Sequence, residues 1–172
     1  LRHVPVQHMT AYMCHFAVSN NSKAIKYVPV DKMSEEICLT AVKKNGLNLR
    51  FIAVCSDRVY LNAVKQNGSS LQYVPQTKRT KEIYIEAFQQ NGESIQYVDF
   101  DFYKKSDDAT ELCMIAVKGP HIGTVLRHIP AYHRTYEMCL EAVKHHDKDA
   151  LFFVPEIHKT LELCKIAIEK HG

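Results

Sequence analysis

The sequence contains no long hydrophobic run, and its longest apolar stretches, such as Leu151 to Val154, span only a few residues. A helix needs about 20 consecutive apolar residues to cross a membrane, so we expect no membrane insertion. The first residues also lack a long apolar stretch, and we therefore expect no secretory signal. With 172 residues, of which 46% are hydrophobic and 24% charged, the chain has the length and composition of one folded domain.

The sequence also lacks the motifs of common enzyme classes. It has no phosphate-binding loop, dinucleotide fingerprint, nucleophile elbow or kinase motif set. This absence does not exclude an enzyme, but it favours a chain that is not itself catalytic and uses no cofactor, with any chemistry elsewhere in the parent protein. A block of lysines and arginines is missing too, so the net charge of +3 is weak support for nucleic-acid binding.

What the sequence does contain is a repeat with a period of about 25 residues. Each copy starts with a residue that is Thr or Ser in six cases, and an Ala follows seven positions later in every copy. The residues three, four and eight positions after the start are apolar, Cys or Tyr in every copy. This spacing describes one face of an α-helix of about eleven residues. The seven starts are Thr10, Ser34, Ser56, Thr80, Ala109, Thr135 and Thr160.

The ends of this helix, called helix A, are also predicted by the sequence. Thr or Ser at the start can accept a hydrogen bond from an unpaired backbone N–H, and Glu follows two residues later in five copies. Asn45-Gly46, Asn67-Gly68 and Asn91-Gly92 come after the helix and can supply a left-handed stop.

A shorter apolar segment follows helix A, as in residues 70–75, Ser-Leu-Gln-Tyr-Val-Pro. We interpret it as a second helix, helix B, because its apolar residues recur at steps of three and four and its closing Pro ends helical geometry. A β-strand is the competing interpretation, since Tyr and Val favour strands.

A single helix pair cannot bury its apolar face alone, so neighbouring pairs must stack. We therefore predict an all-α fold, an α-solenoid of about seven short helix-turn-helix repeats, with residues 1–172 forming one array. Residues 1 to 5 match the tail of a helix B, and neither end carries a polar capping unit. We expect a segment of a longer array, with ends able to associate with each other.

The composite pattern Thr-x-Glu-x-Cys-Leu-x-Ala-Val-Lys-x-Asn-Gly-x-x-Leu-x-Tyr-Val-Pro resembles the short tandem helical repeats of a bacterial domain family of unknown function, found also in proteins of intracellular bacteria. The resemblance covers nearly the whole chain and departs at residues 99 to 109, at 118 to 124 and at Arg58, which replaces the usual Glu. It implies a bacterial interaction module, one form of which is an effector delivered into a host cell. It implies nothing about activity, because the shared residues serve packing and capping.

Five of the six cysteines fall in one column of helix A, where Tyr60 and Tyr84 stand in the other two copies. Equivalent positions in stacked repeats lie about 10 Å apart, too far for a disulfide. We predict core residues with free thiols, which favours a cytoplasmic or other reducing compartment. Cys55 lies outside the column and is the one candidate for a reactive thiol.

Five of the ten histidines lie in the fifth and sixth repeats, which raises the question of zinc. No Cys-x-x-Cys or His-Glu-x-x-His pairing occurs, and His128 falls in a column of Tyr and Phe. We predict structural or surface histidines and no metal site, although they could make binding depend on pH. The residues concerned are His121, His128, His133, His145 and His146.

The longest interruption of the repeat, residues 99–108, places Phe100, Phe102 and Tyr103 among four acids. Such loops often contact partners, while the alternative is that these rings cover a packing fault between the fourth and fifth repeats. A calcium loop is not indicated, since the ordered ligand spacing and the central Gly are absent.

We favour a non-catalytic scaffold that binds a protein or peptide through positions that the repeat leaves variable. In helix B these are Lys26, Arg50, Gln72, Gln96 and Arg127, and in helix A they are His15, Thr40, Asn62, Glu86 and Glu141. The alternative is a nucleic-acid-binding solenoid that uses the basic first third, through Lys23, Lys26, Lys43, Lys44 and Arg50. A metal-dependent enzyme on the histidine-rich repeats is a third, weaker hypothesis.

Overall fold

The structure is a computed structural model, and it describes residues 1–100, 108–120, 125–145 and 149–171. All regular secondary structure in these residues is helical. The predicted all-α repeat fold is therefore confirmed. Seven α-helices of ten or eleven residues occupy the helix A positions: α1 Ala11–Asn20, α2 Glu35–Lys44, α3 Asp57–Gln66, α4 Lys81–Gln90, α5 Asp108–Lys118, α6 Tyr136–His145 and α7 Leu161–His171.

The segments that follow these helices are 3₁₀-helices, not the α-helical turns expected for helix B. They have four to six residues, and most start after an Asn or Asp. Each ends before a Val or Ile, which a Pro follows in four of the six copies. A 3₁₀-helix suits such a short piece because it needs only three residues per turn. These long 3₁₀ segments are Ser22–Tyr27, Gly46–Phe51, Gly68–Tyr73, Gly92–Tyr97, Val125–His128 and Ala150–Phe153.

A second, three-residue 3₁₀ turn usually precedes the next α-helix. It begins directly after the Pro of the repeat where a Pro is present, as after Pro29 and Pro75, because Pro has no N–H to lose in a first helical turn. These turns are Val6–His8, Val30–Lys32, Gln76–Lys78, Ala131–His133 and Glu156–His158.

The predicted helix starts are confirmed in six of the seven repeats. The side-chain oxygen of the Thr or Ser accepts from the N–H three residues on, as in Met13 N to Thr10 Oγ1 at 3.2 Å. Ser56 precedes α3 without this bond and donates instead to Glu35 Oε1. Ala109 is the exception, because α5 begins at Asp108 and Ala109 is buried inside the helix.

The interpretation of Asn-Gly as a left-handed stop is wrong. No residue in the described ranges has a positive φ. Asn45 is extended, with φ −156° and ψ 108°, and its Oδ1 accepts from Leu47 N at 3.1 Å. Asn21, Asn67 and Asn91 do the same at 3.0 to 3.1 Å. The Asn therefore starts the long 3₁₀ segment by capping its N-terminus.

Residues Leu1–Ala87 form one compact unit and Phe88–Gly172 another. In the first, α2 packs against α1 and α3, and each long 3₁₀ segment packs against its neighbours and against the α-helices. In the second, α6 packs against α5 and α7, and the segment Val125–His128 packs between the two other long segments. Each unit thus has a row of α-helices and a row of 3₁₀ segments with the core between them.

The repeated Ala lies at the helix contacts, as expected. It is buried in the five inner copies: Ala41, Ala63, Ala87, Ala116 and Ala142. Because Ala places only a methyl group between the helices, their backbones can approach closely. No α-helix among the described residues has the length and apolar character needed to cross a membrane.

Candidate functional site

One exposed position recurs in the long 3₁₀ segments, and we call it the 3₁₀ row. In the first unit, Lys26, Arg50 and Gln72 occupy this position, and all three are exposed. The preceding residue of each segment is fully buried, and the following aromatic residue is half-buried. Packing therefore fixes the neighbours of the row and leaves the row residue itself free to vary.

The two cations of the row lie over aromatic rings of their own segments. Lys26 Nζ is 4.8 Å from the centre of the Tyr27 ring, and Arg50 Cζ is 4.5 Å from the centre of the Phe51 ring. Attraction between a cation and a ring face holds such a side chain close to the surface. Gln72 is held differently, because its Nε2 donates to Ser69 O at 2.9 Å.

Arg2 is the counterpart of the row residues, although it lies in a turn and was not among the predicted site residues. The stretch Leu1 to Pro5 matches Leu126 to Pro130 residue by residue except for one Val/Ile exchange, so Arg2 corresponds to Arg127. Extending the repeat alignment to the first residue finds it.

A hollow of about 380 Å³ lies beside this end of the row. None of the described residues that line it is acidic, and three are cationic: the lining consists of Leu1, Arg2, Ala17, Asn21, Lys23, Ala24, Lys26 and Tyr27. The whole first unit carries twelve lysines and arginines against six acidic residues, a net charge of +6. The row of the first unit therefore lies on a positively charged body.

The row of the second unit has a different character. Arg127 is paired there, with its guanidinium 3.4 Å from Glu93 Oε1 and its Nε donating to His128 Nε2 at 2.9 Å. Gln96 Nε2 donates to Glu93 O at 3.1 Å. Phe152, which was not predicted as a site residue, occupies the last row position with 79% of its surface exposed.

The predicted aromatic loop is only partly described. Phe100 is half-buried and lines a small apolar hollow with Ile95, Leu112 and Cys113 among others, while its ring lies 5.7 Å from that of His133. These contacts support the interpretation that Phe100 covers the core of its own unit. Phe102 and Tyr103 lie outside the described residues.

The variable positions of the α-helices are half-buried and are engaged with neighbours. His15 Nε2 lies 3.6 Å from Glu36 Oε1, and Glu86 Oε1 lies 3.1 Å from Lys65 Nζ. Asn62 Nδ2 donates to Arg58 O. Thr40 and Glu141 are half-buried as well. Of the two predicted sets, the 3₁₀ row is the more accessible.

All six cysteines lie in the described ranges and are free thiols. Burial raises the pKa of the column thiols, to about 11 for Cys38 and Cys139 and to about 12 for Cys113. Burial also raises the pKa of Cys55, although a hydrogen bond with Tyr60 acts in the opposite direction. A raised pKa lowers the fraction of the nucleophilic thiolate, which argues against Cys55 as a reactive group.

The described part of the chain contains no group of three or more His, Cys, Asp or Glu side chains arranged to hold a metal ion. Burial, followed by the positive charge of Arg127, lowers the pKa of His128, which suits its role as a hydrogen-bond acceptor. His133 packs its ring against Tyr132 at 4.6 Å. His121 and His146 lie outside the described residues, as does the side chain of His145.

Comparison with protein families gives two tandem matches to one family, described as "Domain of unknown function (DUF4116)", over residues 14–54 and 58–103. Together they cover half of the chain. The chain belongs to this family. Each match spans two α-helices and the long 3₁₀ segments that follow them, so one DUF4116 domain corresponds to two of the 25-residue repeats.

The predicted resemblance to a tandemly repeated domain family of unknown function is confirmed in this form. No curated protein and no solved structure matches the chain.

Proposed function

We propose that this chain is a non-catalytic scaffold that binds a protein or peptide along its 3₁₀ row. The observation that supports the proposal is the pattern of burial within each long segment. The residues on either side of the row position are buried or half-buried apolar and aromatic residues, whereas the row position is exposed and changes from Lys to Arg, Gln and Phe. A surface that varies on a constant framework is how helical-repeat proteins obtain different binding specificities.

The first unit suits an acidic segment of a partner. Arg2, Lys26 and Arg50 present three cations on neighbouring segments, and the hollow between the first two is large enough for one side chain. The rings of Tyr27 and Phe51 lie beside the cations and add apolar contact area. Cationic and aromatic residues placed together are typical of the positions that contribute most to binding energy in protein interfaces.

The setting of this function is part of the proposal. Free thiols in a buried column favour a reducing compartment. We infer a bacterial interaction module that acts in such a compartment, either in the bacterial cytoplasm or, as part of an effector, in a host cell. We also expect the chain to associate with itself through its ends.

The test is an affinity pull-down from bacterial and eukaryotic lysates, read by mass spectrometry, with the row variant K26A/R50A/Q72A. The control K43A/R58A/Q76A removes the same residue types from exposed positions outside the row. We expect the parent chain and the control to retain one set of proteins and the row variant to lose it, since each true contact contributes about 1 kcal/mol or more. Equal retention by all three would place the site elsewhere.

The basic first unit specifically favours one second candidate, a nucleic acid. Arg2, Lys26 and Arg50 could contact phosphates, and the rings of Tyr27 and Phe51 beside the last two could stack on bases. The measurement that separates the candidates is the affinity for a single-stranded RNA and for a DNA duplex at two salt concentrations, with nuclease treatment of the pull-down. Phosphate contacts by three cations would lower affinity steeply with salt, by about two to three powers of ten per tenfold increase. A protein ligand retained after nuclease and high salt would exclude this candidate.

A further inference from the structure

A second exposed position recurs four residues after the row position, and we call it the turn position. It comes directly after the Pro of the repeat, or after the residue that replaces this Pro, and it begins the three-residue 3₁₀ turn where that turn is present. The residue is exposed in six of the seven copies. The seven turn positions are Val6, Val30, Val54, Gln76, Phe100, Ala131 and Glu156.

Two inner copies of the first unit place an uncovered valine at the turn position. Val30 is 81% exposed and Val54 is 87% exposed. Val30 lies between α1 and α2, and Val54 lies between α2 and α3, so their exposure does not arise at an end of the chain. The same position holds Gln, Ala or Glu in other copies, which means that packing does not require an apolar residue there.

The row position and the turn position change together along the first unit. In the first three copies a cation is followed by a valine, whereas both residues are Gln in the fourth copy. Four residues span at most about 14 Å, so the two members of a pair lie close together on the surface. A line of cations is thus accompanied by a line of valines, and both stop at the fourth copy. The pairs are Arg2 with Val6, Lys26 with Val30, Arg50 with Val54 and Gln72 with Gln76.

The inner cations of this line have no acidic partner of their own. Among the residues that the structure describes, neither Lys26 nor Arg50 forms an ion pair. The acids that follow the two valines along the chain are paired elsewhere, Asp31 with Lys32 at 3.0 Å and Asp57 with Lys78 at 2.9 Å. Carboxylates of a partner would therefore complement the charge of Lys26 and Arg50.

The stacking of the repeats sets the spacing that such a partner must match. Neighbouring long 3₁₀ segments of the first unit pack side by side, and packed helices lie about 8–10 Å apart. In a polyproline-II segment every third residue returns to the same side after about 9.3 Å. In a β-strand the same side returns after every second residue, which is about 6.6 Å. A period of three therefore fits the row, and a period of two does not.

We propose that the first unit binds a polyproline-II segment of a partner protein in which an acidic residue recurs at every third position and an apolar residue follows each acid. The acids pair with Lys26 and Arg50, and the apolar side chains cover Val30 and Val54. This inference rests on the proposed function, because it names the partner chemistry of the row and adds the turn position as a second determinant of specificity. A nucleic acid would use the cations without needing the valines, and the test separates the two.

The test uses synthetic peptides with a fluorescent label and measures their binding by fluorescence anisotropy. The first peptide repeats Asp-Leu-Pro five times. The second has the same composition with all acids grouped at one end, and the third repeats Asp-Ser-Pro. The protein variants are V30S/V54S for the turn position and K26A/R50A for the row. Their matched controls are Ile157→Ser, which changes a valine-like side chain that is 84% exposed in the second unit, and K43A/R58A, which removes exposed cations outside the row.

We expect the parent chain and both controls to bind the first peptide saturably and at least about tenfold more tightly than the other two. V30S/V54S should lose this preference for leucine over serine, since its remaining contacts are the same for both peptides. K26A/R50A should bind all three peptides more weakly.

Three results would overturn the inference: no saturable binding of the first peptide, equal affinity for the leucine and serine peptides, or V30S/V54S binding as the parent chain does. A single-stranded RNA bound equally by the parent chain and V30S/V54S, with no peptide bound, would assign the cations to a nucleic acid. The pull-down with K26A/R50A/Q72A separates this failure from that of the proposed function. If that variant still loses its proteins, the row binds a partner of other chemistry, and if it retains them, the proposed function itself fails.

Discussion

At the scale of single residues, Gly46 shows why a familiar dipeptide was misinterpreted. Asn-Gly is typical of a left-handed helix stop, yet Gly46 has a negative φ. A Cβ at this position would lie 2.2 Å from Ala63 O and 2.7 Å from Ser70 Oγ. The glycine is required because its backbone touches the next helix at the repeated Ala. Nothing in the sequence distinguishes this requirement from the conformational one, since both select glycine.

Gly46→Ala therefore should destabilise the chain by about 2 kcal/mol, because a backbone carbonyl cannot move aside. If the site were open, the same change would stabilise by about 0.4–1 kcal/mol through the unfolded state, so the sign decides. The measurement is urea unfolding followed by circular dichroism. Ser22→Ala is the control, because Ser22 occupies the same column in the first repeat and already carries a Cβ.

The other single-residue predictions differ in how much of them the structure supports. The Ala column and the Thr or Ser caps were predictable from the sequence. A small residue in all seven copies indicates a close helix contact, and Thr or Ser followed by Glu in the first turn indicates a helix start. Lys26, Arg50, Gln72, Gln96 and Arg127 are exposed as required for a surface role, but their role as contacts stays a prediction. Phe100 could not be assigned from sequence, because an aromatic residue in a long connection serves packing and binding equally well.

At the scale of elements, a long 3₁₀ segment such as Gly46–Phe51 starts at an Asn cap, and the sequence alone does not show that this Asn caps a 3₁₀-helix. Apolar residues such as Leu49 and Ile52 recur at a spacing of three, which fits a 3₁₀-helix and also one turn of an α-helix. The start of the tighter helix is set by the end of the preceding one, because Asn45 is both the C-cap of α2 and the N-cap of the segment. Two helices that share one residue leave no room for a longer turn.

Asn45→Ala removes the acceptor for Leu47 N, and we expect a loss of about 1 kcal/mol in the free energy of unfolding. Asn20→Ala is the control, because Asn20 is the last residue of α1 and its exposed amide donates to Phe16 O. Alanine favours helix formation there, so the change should be within about 0.5 kcal/mol of zero. A null result for Asn45→Ala would mean that Leu47 N is satisfied by water without cost.

At the scale of the whole molecule, the buried thiols couple stability to alkaline pH. Burial raises the pKa of Cys38 and Cys139 from 9.0 to about 11, and it raises the pKa of Tyr60 from 10.0 to about 12. Between the unfolded and folded pKa values, the unfolded chain loses a proton that the folded chain keeps. The stability that the two thiols contribute is therefore complete below pH 9 and is lost as pH rises toward 11, and that of Tyr60 is lost between pH 10 and pH 12.

We expect the free energy of unfolding to fall by more than about 1 kcal/mol between pH 8 and pH 10, as measured by urea unfolding under reducing conditions. The double variant C38A/C139A should lose less over the same interval, and its profile is the control for lysine and tyrosine titration. Parallel profiles of variant and parent would show that the column thiols ionise as readily in the folded chain as in the unfolded one.

An inner α-helix such as α2 packs one face against the preceding helix and another against the following helix, and this arrangement bears on how such a chain can change in length. The residue eight positions after a helix start packs toward the next helix, and the residue three positions after a start packs toward the preceding helix. Val18 of α1 and Val59 of α3 occupy these two positions on either side of α2, and both are buried. Deleting residues 34–55, one complete period, removes α2 and lets these two residues pack against each other as each packs against α2 in the intact chain. Gain or loss of whole repeats by recombination therefore keeps the same columns in contact between neighbouring helices and alters the number of row positions. Selection can lengthen or shorten the array without having to redesign its core.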